Sequence, residues 1–146
     1  MILIAALFHD FDHSGRVGQD DLEIERAVRG LRANILGIDK YFQNDIEHLI
    51  RATEFPYKVP SSELTLEAQI LRDADLSQAL SVAWIQQVVF GLAEEMRKTP
   101  LEILKMQEGF LSNLKFSTDW AKQAFTQESI ELKIEESREL LEILED

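Results

Sequence analysis

The stretch IERAVRGLRANI, residues 24–35, decides the fold class. Its apolar residues Ile24, Ala27, Val28, Leu31 and Ile35 recur at i, i+3, i+4, i+7 and i+11, the spacing of one buried face of an α-helix. The same period continues outward. Phe42, Ile46, Leu49 and Ile50 make a second stripe, and Ile85, Val88, Val89, Leu92 and Met96 a third. No comparable run alternates with period two, so no strand is expected.

Breaks between the helices are equally legible. Gly15 and Gly18 interrupt the chain after a first apolar helix that ends near Phe8. Gly37 and Asp39 separate the second helix from the third, with Asp39 a candidate N-cap. Pro56 and Pro60 force a loop over 55–62. Thr99, Pro100 and Glu102 have the order of a capping box with proline at the first helical position. Ser117 or Thr118 opens a last long helix, 118–146, in which Ile130, Ile134, Leu141 and Leu144 form a narrow stripe. That stripe packs on its own domain or pairs with a second copy as a homodimer. The expectation is one all-α domain over 1–146, of about six helices.

Composition narrows the function. The 146 residues suit one compact domain, and 45% of them are apolar. No run reaches the roughly 18 apolar residues needed to span a bilayer. There is no cysteine, which excludes disulfides, thiol nucleophiles and Cys-based metal sites and fits a cytoplasmic protein. Any metal must be held by His, Asp, Glu or backbone oxygen. A net charge of −12 disfavours polymeric nucleic acid and anionic membranes as partners. A small phosphorylated substrate stays compatible, because a bound cation reverses the local field.

Of three histidines, His9 and His13 fall within AALFHDFDHSG, residues 5–15; the third is His48. His9 and Asp10 end an apolar helix, where the backbone can turn and let both side chains converge. A neutral nitrogen beside a hard anionic oxygen suits Zn, Mn, Fe or Co, and Mg less readily. Further along, ILRDADLSQAL, residues 70–80, places Asp73 and Asp75 on a helix whose Leu71, Leu76 and Leu80 should pack inward. A carboxylate there needs a partner: a metal, an arginine or a helix N-terminus.

Together these segments resemble the HD superfamily of metal-dependent phosphohydrolases, whose pattern is a His, then a His–Asp pair, then a distant Asp. His9–Asp10 matches the pair and Asp75 the distant Asp. HDFDHSG and ADLS are similar to stretches of cyclic nucleotide phosphodiesterases, and LIRATEFPY, residues 49–57, to the helix end and loop of small bacterial members. The resemblance covers roughly residues 3–80. It implies an HD-like helical bundle and a divalent ion (Mn, Zn, Fe, Co or Mg) on His9, Asp10 and Asp75. It also implies hydrolysis of a phosphate ester of a nucleotide or similar small molecule by metal-activated water. Asp10 could then bridge two ions and His13 pass a proton to the leaving oxygen, or His13 merely caps the turn. Arg16, Arg51 and above all Arg72 are candidates for the substrate phosphate, with Thr53 and Glu54 lining the pocket.

The departure from the pattern is the first His. Eight residues precede His9 and none is histidine. Either the chain is a shortened version that lacks its first helix, or its site is incomplete, which puts activity in doubt. His48 falls off the Phe42–Ile46–Leu49 stripe and is a poor substitute. A helix ending at Phe8 without that neighbour should leave apolar surface uncovered, which invites association. Two rivals remain. DFDHSGRVGQDD, residues 10–21, matches a single EF-hand calcium loop, with Asp10, Asp12, Ser14 and Asp21 as ligands and Gly15 at the turn. Alternatively the chain is a catalytically inactive helical interaction module.

Overall fold

The computed structural model describes residues 1–14 and 20–145, with Asp20 described by its backbone alone. Among these residues the protein is all-α: eight α-helices joined by short 3₁₀ segments and one π-helical turn, with no strand. The helices are α1 (Ile2–Phe8), α2 (Asp20–Asn34), α3 (Gln43–Ala52), α4 (Leu66–Ser77), α5 (Gly91–Glu95), α6 (Pro100–Leu111), α7 (Asp119–Ala124) and α8 (Gln127–Glu145). The chain divides into two compact units, 1–72 and 73–146, with the boundary inside the unbroken α4.

The first unit is built on the expected stripes. Ile24, Ala27, Val28, Leu31 and Ile35 are all buried, and they meet Ile46, Leu49 and Ile50 of α3, Ala5 of α1, and Ala68 and Leu71 of α4 in one core. Each large aliphatic side chain buried there contributes roughly 1.5–3 kcal/mol. Arg32 of α2 and Glu47 of α3 form a two-pronged ion pair, with Nε–Oε1 2.7 Å and Nη2–Oε2 2.6 Å. Gln43 adds a 2.9 Å bond to the same carboxylate. Phe42 does not join its stripe: it is 43% exposed, at the end of a 3₁₀ segment over Gly37–Phe42. Asp39 lies in the first turn of that segment and does not cap α3, which starts at Gln43 without a side-chain cap. Gly37 has φ +60°, a conformation that favours glycine. On the outward side of α1, Leu3 and Leu7 are 82% and 75% exposed, a large apolar exposure on so short a helix.

The second unit departs from the expected period at one place. Residues 85–90 form a π turn, which takes one residue more than an α turn. The core face therefore runs Trp84, Val89, Ala93: a step of five across the π turn, then a step of four. Ile85, Val88, Leu92 and Met96, expected at the centre of the stripe, are partly buried around Trp84. Thr99 and Glu102 form the expected capping box, with Pro100 opening α6. α6 and α8 run antiparallel, linked by Lys105–Glu145 and Glu108–Arg138 ion pairs.

The helix expected over 118–146 is divided. Thr118 caps only the short α7, accepting from the Ala121 amide at 3.1 Å. Phe125 then leaves helical geometry and stacks on Phe116, with ring centroids 4.8 Å apart. The Thr126 hydroxyl accepts from the Ser129 amide and starts α8 afresh. On α8, Ile130 is buried and Leu141 packs against the Trp84 cluster, while Leu144 is 57% exposed. Among the described residues no single helix is long and apolar enough to cross a membrane.

Candidate metal centre

α1 ends at Phe8, and its apolar sequence stops where the ligand-bearing pair begins. The His9 amide closes the last turn onto Ala5 O at 2.9 Å, so the residue still has helical geometry. Its ring is fixed from one side. Nδ1 lies 2.8 Å from Ala6 O, and a carbonyl can only accept, so Nδ1 carries the proton in that bond. On the other side Nε2 lies 3.1 Å from Asp10 Oδ2. With Nδ1 protonated, a neutral ring would point a lone pair at a carboxylate. The contact is favourable only if Nε2 is protonated as well or if a cation lies between the two atoms. The His9 side chain is only 13% exposed, whereas Asp10 is 67% exposed. Partial burial pushes the Asp10 carboxyl up, but the His9 hydrogen bond and the charges of His9 and His13 outweigh it, leaving the group below the ordinary carboxylate range.

α4 supplies the third group. It is one continuous helix that carries Ala68 and Leu71 into the first core, and Asp75 stands one turn beyond Leu71. One ligand atom each from His9, Asp10 and Asp75 lie within 4.8 Å of one another. Metal bonds of ~2.0–2.2 Å to such ligands leave adjacent donors roughly 3–3.5 Å apart. One imidazole with two carboxylates is a donor set of the kind that suits Zn or Mn. Among the described residues no other group of three His, Asp or Glu side chains converges in this way. Asp10, Asp12 and Asp21 do not form one, and the centre of the calcium loop, residues 15–19, lies outside the described residues.

The remaining candidates separate. His13 sits in the turn after α1, its amide donating to Asp10 O at 3.2 Å and its ring close enough to influence the Asp10 carboxylate; it is not one of the three converging groups. Arg16 lies outside the described residues. Arg72, the leading candidate for substrate phosphate, is instead 2% exposed. Its Nε donates to Ala52 O, its Nη1 donates to Val59 O at 2.8 Å, and its guanidinium stacks 4.0 Å over the Tyr57 ring. It holds the loop after α3, a loop that contains a cis Phe55–Pro56 bond. Arg51 pairs with Glu25, and Glu54 pairs with Lys58. Thr53 closes α3 by donating to Ile50 O. His48 is exposed on α3 and outside the metal group.

Sequence reading missed Glu23, Arg26 and Gly30 of α2, which grip the turn that follows the ligand pair. Arg26 Nη1 donates to Asp12 O at 3.3 Å, and the buried Glu23 carboxylate accepts from both the amide and the hydroxyl of Ser14. A Cβ on Gly30 would lie 2.2 Å from the Phe11 ring. None of this was legible, because Glu23 and Arg26 read as the charged face of an amphipathic helix. Comparison with protein-family models, curated protein sequences and solved structures gives no significant match.

Proposed function

We propose that this chain has an HD-type helical scaffold and acts as a metal-dependent phosphohydrolase on a small phosphate ester, with His9, Asp10 and Asp75 as metal ligands. The observation that carries the reading is the convergence of these three side chains from sequence positions 65 residues apart. A shared cation would relieve both the His9–Asp10 lone-pair conflict and the like charges of the two carboxylates. A divalent ion bound there would supply a more acidic water and polarise a phosphoryl oxygen. The chain's own residues do the holding: Ala6 O fixes the His9 ring, and the Asp10 carboxylate is exposed. His13, exposed and close to Asp10, is placed to exchange a proton with a leaving group. Arg72 has no part in this reading.

Metal analysis of purified protein refilled with Mn, Zn, Mg or Ca, wild type beside Asp75→Ala, tests the proposal together with hydrolysis of a generic phosphodiester. The expected result is transition-metal binding that disappears in the variant. Binding that survives Asp75→Ala would move the site to the 10–21 segment, and no binding at all would remove the proposal. A second reading, an interaction module without turnover, is favoured by the exposed Leu3 and Leu7 on the helix that carries the ligand pair. It predicts self-association or partner binding that Leu3→Glu/Leu7→Glu abolishes, without metal-dependent hydrolysis.

A further inference from the structure

Glu23 is 6% exposed in the second turn's reach of α2, yet it is not among the converging metal ligands. A buried carboxylate without partners costs several kcal/mol, so its partners identify its role. They all belong to, or lead to, the turn after α1. The Ser14 amide donates to Oε2 at 3.1 Å, and the Ser14 hydroxyl donates to Oε1. Arg26 lies 3.5 Å from the same carboxylate and bonds Asp12 O as well. Burial pushes the Glu23 carboxyl up, but these bonds and the charges of His13 and Arg26 keep it below its ordinary value, so it stays an anion at neutral pH.

The turn needs such a restraint. Asp12 sits at φ +58°, in the left-handed region, which costs a non-glycine residue about 1 kcal/mol. Phe11 is 44% exposed, so core burial alone does not anchor it; its ring rests on the bare backbone of Gly30. Three of the four residues after the ligand pair therefore hold their course through α2, namely Phe11 on Gly30, Asp12 through Arg26 and Ser14 through Glu23, while the His13 amide bonds back to Asp10 O.

We infer that Glu23 is a positioning residue for the metal centre, fixing the 11–14 turn through Ser14 so that the His9–Asp10 pair keeps its orientation. The inference rests on the metal-site reading above. Groups that hold ligands in place without touching the ion typically contribute 10–100-fold to metal affinity. Glu23→Ala should therefore weaken Mn(II) binding to the full chain, measured by titration, by about 10–100-fold and shift the visible absorption of the Co(II)-loaded protein. Glu23→Gln, which still offers Ser14 an acceptor, should recover most of the affinity. Glu47→Gln breaks the Arg32 pair elsewhere in the same unit and should leave affinity and spectrum unchanged.

Wild-type affinity in Glu23→Ala, or an equal loss in Glu47→Gln, overturns the inference. If wild-type protein binds neither Mn nor Co, the metal reading falls by itself. Positioning is then read in the metal-free protein: Glu23→Ala must move the ring resonances of His9 and His13 while Glu47→Gln leaves them in place. Unmoved resonances in Glu23→Ala overturn it.

Discussion

Replacing Asp73 by alanine should be among the most destabilising single changes in the second unit, and the structure sets the size of the effect. Asp73 is 4% exposed. Its Oδ1 accepts from the Ser117 amide at 2.6 Å, and its Oδ2 accepts from the Thr118 amide at 2.8 Å and the Thr118 hydroxyl at 2.7 Å. Truncation leaves two amides without acceptors, at roughly 1–3 kcal/mol each. It also loosens Thr118, the N-cap of α7, whose loss alone costs about 1 kcal/mol. The expected total is about 3–5 kcal/mol, or a fall in Tm on the order of 10 °C for a chain of this size. Urea unfolding of the full chain, followed by tryptophan fluorescence, is a suitable assay, because Trp84 and Trp120 both lie in the second unit. Asp73→Asn keeps one acceptor and should fall between alanine and wild type. An Asp73→Ala protein within about 1 kcal/mol of wild type would refute the reasoning, since two part-buried amides stripped of their acceptors should cost more than that.

Other expectations follow from the same geometry. Glu47 is held below its ordinary pKa, chiefly by the Arg32 hydrogen bond, against burial and with help from Gln43; a depressed carboxylate stabilises above its unfolded pKa and loses that contribution as pH falls through the folded value. Tm against pH should thus drop more steeply below about pH 4.5 in wild type than in Glu47→Gln, and parallel curves would contradict this. Arg72→Ala should cost about 3 kcal/mol by stranding the Ala52 and Val59 carbonyls, and urea unfolding that shows under about 1 kcal/mol would return Arg72 to the list of ligand contacts. Arg97 ends α5 at φ +53°, so Arg97→Gly should raise stability by up to about 1 kcal/mol, seen as a higher Tm. Mn(II) at ~100 times its Kd should stabilise wild type by about 2.7 kcal/mol and leave Asp75→Ala unmoved, as thermal melts with and without metal would show.

Most of the fold was legible because helical burial repeats. The Ile24–Ile35 face needed only its period to be read, and every member of it is buried. Local chemistry served as well at Thr99–Pro100–Glu102, where the side chains that form the box are all within one turn. Two features were hidden for opposite reasons. The π turn at 85–90 inserts one residue into the period, and nothing in IQQVVF announces it; the packing of Trp84 against Val89 and Ala93 selects it. The break at Phe125–Thr126 is a tertiary decision, made where Phe125 gains more by stacking on Phe116 than by continuing the helix.

The site was legible as residues and not as roles, and RDAD, residues 72–75, shows why. Charged groups on an otherwise inward-facing helix each demand a partner, but a sequence does not say which. Successive positions on a helix diverge by about 100°, so neighbours answer to different surroundings. Arg72 turns to the loop after α3, where it bonds two carbonyls and stacks on the Tyr57 ring. Asp73 turns to the start of α7, the helix N-terminus that was one of the three partners a buried carboxylate there could have. Of the three, only Asp75 belongs to the candidate ligand group with His9 and Asp10. A guanidinium or carboxylate whose capacity is taken by backbone groups is part of the scaffold, however well its position matches a motif. Asp75 is grouped instead with a second carboxylate and an imidazole, a set that could hold an ion, and that difference separates it from its neighbours as the residue to mutate first.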